Sequence, residues 1–186
     1  MRVIAGNLKG RKLSAVKGDN TRPTTDQIKE NVFNLMGQFF TGGVVLDLFA
    51  GSGALGIEAL SRGMDRALFV DLNQNAIRVI KENITSLQLG EQTAVYRRDA
   101  FSALKQFAKS GVKFDMIFLD PPYGKVSLTK LLDNIIKSDL LNANGLVMCE
   151  HRAGDFVSYD ALKFTKIRQQ MYGTIEILIL EKVEHL

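Results

Sequence analysis

The chain of 186 residues contains one cysteine, two histidines and three prolines. The single cysteine, Cys149, cannot form a disulfide within the chain, and with only His151 and His185 it provides no cluster with metal-ligand spacing. We therefore expect no structural metal. No apolar run approaches the roughly 20 residues that a membrane-spanning helix needs, and we recognise no secretory leader before the first strand. These absences predict a cytoplasmic protein.

Basic residues are concentrated before the first acidic residue, Asp19, although the formal net charge is only +4. Residues 2–6 and 11–16 alternate around a turn that contains Gly10, which predicts a β-hairpin. Such a hairpin can contact nucleic-acid phosphates; the alternative is a solvated edge hairpin whose lysines prevent pairing with other edges. The first interpretation gives five RNA-binding candidates, which are Arg2, Lys9, Arg11, Lys12 and Lys17.

A helix is predicted to begin shortly after this hairpin. Thr24 and Gln27 have the spacing of a capping box. Apolar residues then recur at helical period, at Ile28, Val32, Leu35, Met36 and Phe39, which predicts a core-facing stripe. We therefore divide the chain into an N-terminal extension at 1–22 and one domain at 23–186.

Strands and helices alternate through most of that domain. After a strand that begins at Val44, further strands are predicted at 67–71, 93–97, 114–119 and 146–149, and helices at 54–62, 74–87, 101–109 and 128–138. The last two strands, 163–171 and 174–182, are adjacent and have no helix between them, so they form an antiparallel hairpin. The pattern predicts an α/β protein with a doubly wound, mostly parallel seven-stranded sheet and an antiparallel C-terminal hairpin.

The first strand runs into a glycine-rich turn, Gly51-x-Gly53-x-x-Gly56. Glycine has no Cβ, so a ligand can lie against this backbone, and the following helix offers free N–H groups and the positive end of its dipole. This predicts a nucleotide site. The literal pattern is also that of dinucleotide-binding units, so a nicotinamide-dependent oxidoreductase is one alternative.

Acidic residues lie within or just after four of the predicted strands. Asp71 follows the glycine turn by about 20 residues, where a carboxylate can accept hydrogen bonds from ribose hydroxyls. Asp99 could contact an adenine amino group or cap the next helix. Asp47, inside an apolar strand, must accept hydrogen bonds from the glycine turn or meet a cationic ligand such as a sulfonium, because burial of an unpaired carboxylate is costly.

The element that separates the alternatives is Asp120-Pro121-Pro122-Tyr123, directly after a buried strand. Two prolines stiffen this turn, because they fix φ and remove two backbone donors. Asp120 and a turn carbonyl can then accept both hydrogens of an exocyclic amino group, while Tyr123 stacks on the base. A hydride-transfer site has no use for this arrangement, so we interpret these four residues as catalytic.

With these residues the chain resembles class I methyltransferases that use S-adenosylmethionine and modify base amino groups. Six segments, in this order, resemble the bacterial RsmD family: RVIAG at 2–6, GRKL at 10–13, RPTTD at 22–26, NVFN at 31–34, DLFAGSG at 47–53 and EALSRG at 58–63. The resemblance covers essentially the whole chain. It implies a Rossmann-like methyltransferase fold and transfer of a methyl group to N2 of one guanine in 16S ribosomal RNA, with S-adenosylhomocysteine as product.

The resemblance also implies roles for individual residues. Arg22 and Thr24, in the segment 22–26, would close over the cofactor, and 120–123 would hold the target base. The remaining cofactor-binding candidates are Asp47, Phe49, Ala50, Gly51, Ser52, Gly53, Asp71, Leu72, Asp99 and Ala100. We expect a monomer that acts on 16S rRNA or the small ribosomal subunit without a metal. Asp-Pro-Pro-Tyr equally suits adenine-N6 methyltransferases, and a non-catalytic ribosome-assembly factor is a third alternative.

Overall fold

The computed structural model describes residues 1–16 and 26–184. Seven strands form one sheet in the order β3-β2-β1-β4-β5-β7-β6. The strands are β1 (Val44–Asp47), β2 (Arg66–Asp71), β3 (Thr93–Arg97), β4 (Phe114–Leu119), β5 (Leu141–Arg152), β6 (Phe164–Tyr172) and β7 (Ile175–Lys182). The helices are α1 (Asp26–Met36), α2 (Ala54–Ser61), α3 (Gln74–Leu87), α4 (Ala100–Ser110) and α5 (Leu128–Lys137).

The predicted fold class is confirmed by the strand pairing. Strands β1 to β5 are parallel, whereas β7 lies antiparallel between β5 and β6. The order reverses beside β1, because β2 follows on one side and β4 on the other. Ligands of doubly wound sheets bind at the carboxyl ends of the strands at such a reversal. None of the described helices is long and apolar enough to span a membrane.

Two apolar layers cover the faces of the sheet, because alternate residues of each buried strand point to opposite sides. On one face α1, α2 and α3 pack against side chains such as Val45, Phe69 and Phe118. On the other, α4 and α5 pack against Leu46 and Phe114. The central strands are therefore apolar on both faces, which explains why their sequences show no polar alternation.

The predicted apolar stripe of the first helix is wrong at its end. Helix α1 stops at Met36, since Gly37 has a φ of +115°. Phe39 consequently lies beyond the helix and is 64% exposed. Phe33, one residue from the predicted stripe, is instead fully buried and contacts the ring of Phe118.

Strand β5 is much longer than the predicted 146–149. Residues 141–149 pair with β4 through a register shift between Phe114 and Met116. Its second half continues to Arg152, because β7 provides an antiparallel partner along that length. The extension brings Glu150 and His151 to the carboxyl end of the sheet.

Residues 1–16, called the N-terminal arm below, turn back on themselves. The backbone N–H of Val3 donates to the Arg11 carbonyl at 2.9 Å, and Gly10 donates to Val3 at 2.9 Å. This is the pairing of the predicted hairpin, but it is limited to a single bridge, between Arg2 and Lys12, rather than two regular strands. Val3 is buried in the core of the domain. The predicted boundary at residue 22 lies outside the described residues.

Candidate active site

The glycine turn connects β1 to α2 at the reversal of strand order. Gly51 and Gly53 have φ values of +54° and +79°, which side chains other than glycine rarely adopt. Ala50 donates its N–H to the Val70 carbonyl at 2.9 Å, and this bond holds the turn against β2. A Cβ built on Gly51 would meet nothing within 4 Å. The turn therefore faces open space that can accommodate a ligand.

The third glycine of the pattern serves packing rather than ligand access. A Cβ on Gly56 would lie 2.4 Å from Cε1 of Phe69 in β2. Helix α2 can thus approach the sheet only because residue 56 has no side chain. This is the packing role that the third glycine has in related nucleotide-binding turns.

Asp71 supports the glycine turn from the end of β2. Its Oδ2 accepts a hydrogen bond from the Gly51 N–H at 2.8 Å, and its Oδ1 accepts one from the Asn73 N–H at 2.8 Å. The carboxylate is half-buried and reaches the turn across the edge of the site. Asp71 therefore lies where the sequence predicted, while its contact with a ribose stays a prediction.

Asp47 lies beneath the turn and is nearly inaccessible to solvent. Its Oδ2 accepts a hydrogen bond from the Gly56 N–H at 3.1 Å. Burial, opposed in part by this bond and reinforced by the charge of Asp71, raises the pKa of Asp47 to about 7. The structure thus confirms the expected hydrogen bond between Asp47 and the glycine turn.

The remaining predicted cofactor residues lie at neighbouring strand ends. Asp99 caps α4, since its Oδ1 accepts from the Ser102 N–H at 3.1 Å. Ala100 is buried in the first turn of that helix, and Leu72 is 66% exposed beside Asp71. Arg22 and Thr24 lie outside the described residues.

The Asp-Pro-Pro-Tyr turn leaves β4 next to the glycine turn. Burial raises the pKa of Asp120 well above its ordinary value, and the nearby carboxylates of Glu150 and Asp47 raise it further. Pro121 is buried and Pro122 is exposed. Tyr123 is 45% exposed and donates its hydroxyl to Oε1 of Glu150 at 3.0 Å. Three carboxyl groups therefore gather at the predicted catalytic turn.

A cavity of about 290 Å³ adjoins this turn. It lies between the start of α5 and the loop that follows β5. Tyr123, Glu150 and Phe156 are among its lining residues, and Phe156 is 90% exposed. The cavity thus has both an aromatic wall and a carboxylate, features that suit a planar base carrying N–H donors.

The predicted RNA-binding residues of the arm are exposed. Arg2 pairs with Asp26 at 3.2 Å, and a guanidinium N–H of Arg11 donates to the Ser86 carbonyl at 2.9 Å. Lys9 and Lys12 are exposed as well. Lys17 lies outside the described residues. The arm therefore presents four basic side chains to solvent.

A buried ionic cluster beneath the arm was not predicted from the sequence. Glu58, fully buried in α2, lies 3.1 Å from the ammonium of Lys29 and 2.8 Å from Nε of Arg62. The same carboxylate accepts from the backbone N–H groups of Ile4 and Ala5 at 2.8 and 2.9 Å. Burial lowers the pKa of Lys29, although Glu58 opposes this effect. The signal was a lone acid within an otherwise apolar helix.

Asn83, which is 2% exposed, was also not predicted from the sequence to contribute to the site. It lies on the buried side of α3, between Ile80 and Ile84. Its side chain contacts both the arm and the glycine turn. An amide within an apolar helical stripe is the signal that could have identified it.

Among residues 1–16 and 26–184 no three His, Cys, Asp or Glu side chains form a group that could hold a metal ion.

Comparison with known proteins identifies the family. The family model described as "Conserved hypothetical protein 95" matches residues 1–181. The chain belongs to this family, the RsmD family. The Bacillus subtilis protein named "Putative rRNA methyltransferase YlbH" is 45% identical over 98% of this chain and 99% of its own length.

More distant relatives match most of the chain. The "Ribosomal RNA small subunit methyltransferase D" of Haemophilus influenzae is 34% identical over 81% of this chain and 78% of its own. The solved structure titled "Putative methyltransferase yhhF from Escherichia coli" has a TM-score of 0.86, 28% identity and 98% coverage of both chains. The fold of that structure is thus shared along essentially the whole chain.

Proposed function

We propose that this RsmD-family chain transfers a methyl group from S-adenosylmethionine to the N2 amino group of a guanine in 16S ribosomal RNA. The observation that carries the proposal is the Asp-Pro-Pro-Tyr turn, which lies beside an open glycine turn at the reversal of strand order. The names of the Bacillus and Haemophilus relatives support ribosomal RNA as the substrate. The choice of guanine N2 rests on the family resemblance.

The residues of the glycine turn fit the proposed cofactor. S-adenosylmethionine supplies a methyl group that is activated by a positively charged sulfur. Open space above Gly51 accommodates a ligand against the backbone. The carboxyl group of Asp47, whose pKa burial raises to about 7, would ionise more readily beside a cationic sulfur, and the Asp71 carboxylate would bind a ribose. Asp99 and Ala100 would border the adenine.

Asp120 would orient the amino group of the base. An aromatic amine is a weak nucleophile because its lone pair is delocalised, so hydrogen bonds that its hydrogens donate to Asp120 and a turn carbonyl raise the electron density on nitrogen. The nitrogen then forms a bond to the methyl carbon as the carbon–sulfur bond breaks, with that electron pair going to sulfur. The raised pKa of Asp120 makes its carboxylate suited to accept the proton that the nitrogen loses.

Tyr123 and the adjoining cavity would receive the base. A base that reacts at its amino group must leave its stack, and an aromatic side chain replaces the lost contacts. The Tyr123 hydroxyl is held by Glu150 at 3.0 Å, which fixes the position of its ring. The exposed cations of the arm would bind RNA phosphates, and we propose that the protein acts as a monomer.

Labelled methyl transfer to small ribosomal subunits that lack the modification tests this function. We expect N2-methylguanine in the product. Asp120→Ala should lower the transfer rate by about 10²–10³-fold, the usual effect of losing a group that stabilises the transition state, while the affinity for S-adenosylhomocysteine changes by less than about threefold. Asp133→Ala, an exposed aspartate of α5, is the matched control.

Each other result has a defined meaning. A wild-type rate in Asp120→Ala would refute the assigned role of the turn. N6-methyladenine as the product would keep the mechanism but refute guanine as the base. Cofactor binding without transfer to any RNA would favour the non-catalytic assembly factor.

A further inference from the structure

Asn83 connects two segments that are far apart in the chain. Its Oδ1 accepts a hydrogen bond from the backbone N–H of Ser14 at 2.8 Å. Its Nδ2 donates to the Ser14 carbonyl at 3.1 Å and to the Ser52 carbonyl at 2.9 Å. Because the Ser14 N–H can only donate, the amide atom that faces it must be the oxygen, and Nδ2 is left to donate to the two carbonyls. Both ends of the side chain are therefore used.

The two segments have different proposed ligands. Ser14 belongs to the N-terminal arm, whose cations would bind RNA. Ser52 lies in the glycine turn, between the two residues with positive φ, where the cofactor would bind. One buried side chain thus touches the backbone of both binding elements.

Neighbouring contacts keep the arm against the same surface. The Ser52 hydroxyl lies 3.8 Å from the sulfur of Met1. Arg11 donates to the Ser86 carbonyl at 2.9 Å, one turn along α3 from Asn83. The arm therefore follows α3 and covers the side of the glycine turn.

Each segment also has anchors that do not involve Asn83. The arm is held by Glu58, which accepts from Ile4 and Ala5, and by Ser61, whose Oγ accepts from the Leu8 N–H at 2.9 Å. The turn is held by Asp71 through Gly51. Loss of Asn83 should accordingly leave both segments in place and remove the direct connection between them.

We propose that Asn83 is a positioning residue that couples the RNA-binding arm to the cofactor-binding turn. The inference rests on the proposed function. A bound cofactor orders the turn around Ser52 and thereby orders Asn83, which in turn orders the arm. RNA then binds a better-ordered surface. Because coupling between two binding sites is reciprocal, RNA strengthens cofactor binding by the same factor.

The test measures the affinity of wild-type protein for small-subunit ribosomal RNA, with and without saturating S-adenosylhomocysteine. We expect RNA to bind about 5–10-fold more tightly with S-adenosylhomocysteine present, at the lower end of known coupling strengths. In Asn83→Ala the ratio of the RNA affinities measured with and without S-adenosylhomocysteine should fall to within about twofold of one. At saturating RNA and cofactor, kcat should stay within about threefold of wild type while the KM for RNA rises.

A second variant guards against misfolding of the first. Ser14 is exposed, and Ser14→Pro removes the backbone N–H that donates to Oδ1 of Asn83 while it keeps the carbonyl that accepts from Nδ2. The variant should therefore weaken the coupling without changing the core. Asn134→Ala is the matched control, because the side chain of this exposed asparagine donates to the Lys130 carbonyl on its own helix. Its coupling ratio should equal that of wild type.

The inference is distinguishable from the proposed function. The inference alone is overturned if a folded Asn83→Ala or Ser14→Pro variant couples RNA and cofactor binding as strongly as wild type does. It is also overturned if the wild-type protein methylates RNA but shows no such coupling. A uniform loss of kcat and both affinities, with a lower melting temperature, would assign Asn83 a purely structural role and also overturn it. A wild-type protein that binds no S-adenosylhomocysteine overturns both.

Discussion

Substitution of Asp47 by asparagine tests the electrostatics of the site most directly. The buried carboxyl has its pKa raised from 3.8 to about 7. Asparagine has the same shape, and its amide oxygen can still accept the Gly56 N–H that Asp47 now accepts at 3.1 Å. The substitution therefore removes the titratable group and keeps the hydrogen bond.

The sign of the effect follows from proton binding. Between about pH 4 and pH 7 the folded protein holds a proton on Asp47 that the unfolded chain has lost. The contribution of this group to the free energy of unfolding is therefore complete below pH 4 and is lost as the pH rises through about 7. A raise of about three pKa units corresponds to roughly 4 kcal/mol. Asp47→Asn should thus be more stable than wild type by up to about 4 kcal/mol at pH 8, with little difference at pH 4.

Urea unfolding at pH 4, 6, 7 and 8 measures this difference, with the exposed Asp133→Asn as control. A second reading compares two ligands: Asp47→Asn should weaken binding of cationic S-adenosylmethionine more than that of S-adenosylhomocysteine, whose sulfur is neutral. The reasoning is refuted if Asp47→Asn is less stable than wild type at pH 8, or if the stability difference does not change with pH.

Two further substitutions test the packing beneath the site. Glu58→Ala removes a carboxylate that two buried cations and two backbone N–H groups share and should lower the free energy of unfolding, measured in urea, by about 3–5 kcal/mol. Glu82→Ala, which breaks an exposed ion pair, should cost less than about 1 kcal/mol; equal costs would contradict the assignment of a buried cluster. Gly56→Ala should lower the free energy of unfolding by about 1–3 kcal/mol, because its Cβ would meet the ring of Phe69. The substitution Phe69→Leu, added to Gly56→Ala, should recover part of the lost free energy of unfolding. If it recovers none, the strain does not lie at the ring of Phe69.

Local pattern predicted the secondary structure best where neighbouring residues suffice to determine it. The bounds of α3, β3 and β4 agree with the predictions, because apolar residues at helical period and short β-branched runs between turns leave little choice. The same reasoning was wrong at Phe39, since the period continues past Gly37 although the helix stops there. Periodicity alone does not show that a positive φ ends the helix.

Most of the candidate site could be predicted because its motifs consist of residues that are contiguous in the sequence. A glycine turn after a strand, an aspartate about 20 residues later and two prolines before a tyrosine each constrain the backbone locally. Their convergence follows from the rule that parallel strands present their carboxyl ends at one edge. The raised pKa of Asp120 could not be predicted in this way, since it comes first from burial and then from the charge of Glu150, which a long β5 brings to that edge.

By itself the sequence determined the layered α/β fold and the glycine and Asp-Pro-Pro-Tyr turns that follow β1 and β4, because steric limits on glycine and proline and the period of apolar residues act over a few positions. Only the tertiary structure decided how the buried polar groups are paired. Glu58 meets Lys29 across 29 positions, and Asn83 meets Ser14 across 69. A buried charge or amide must find a partner, but which partner it finds depends on the packing of elements far apart in the chain.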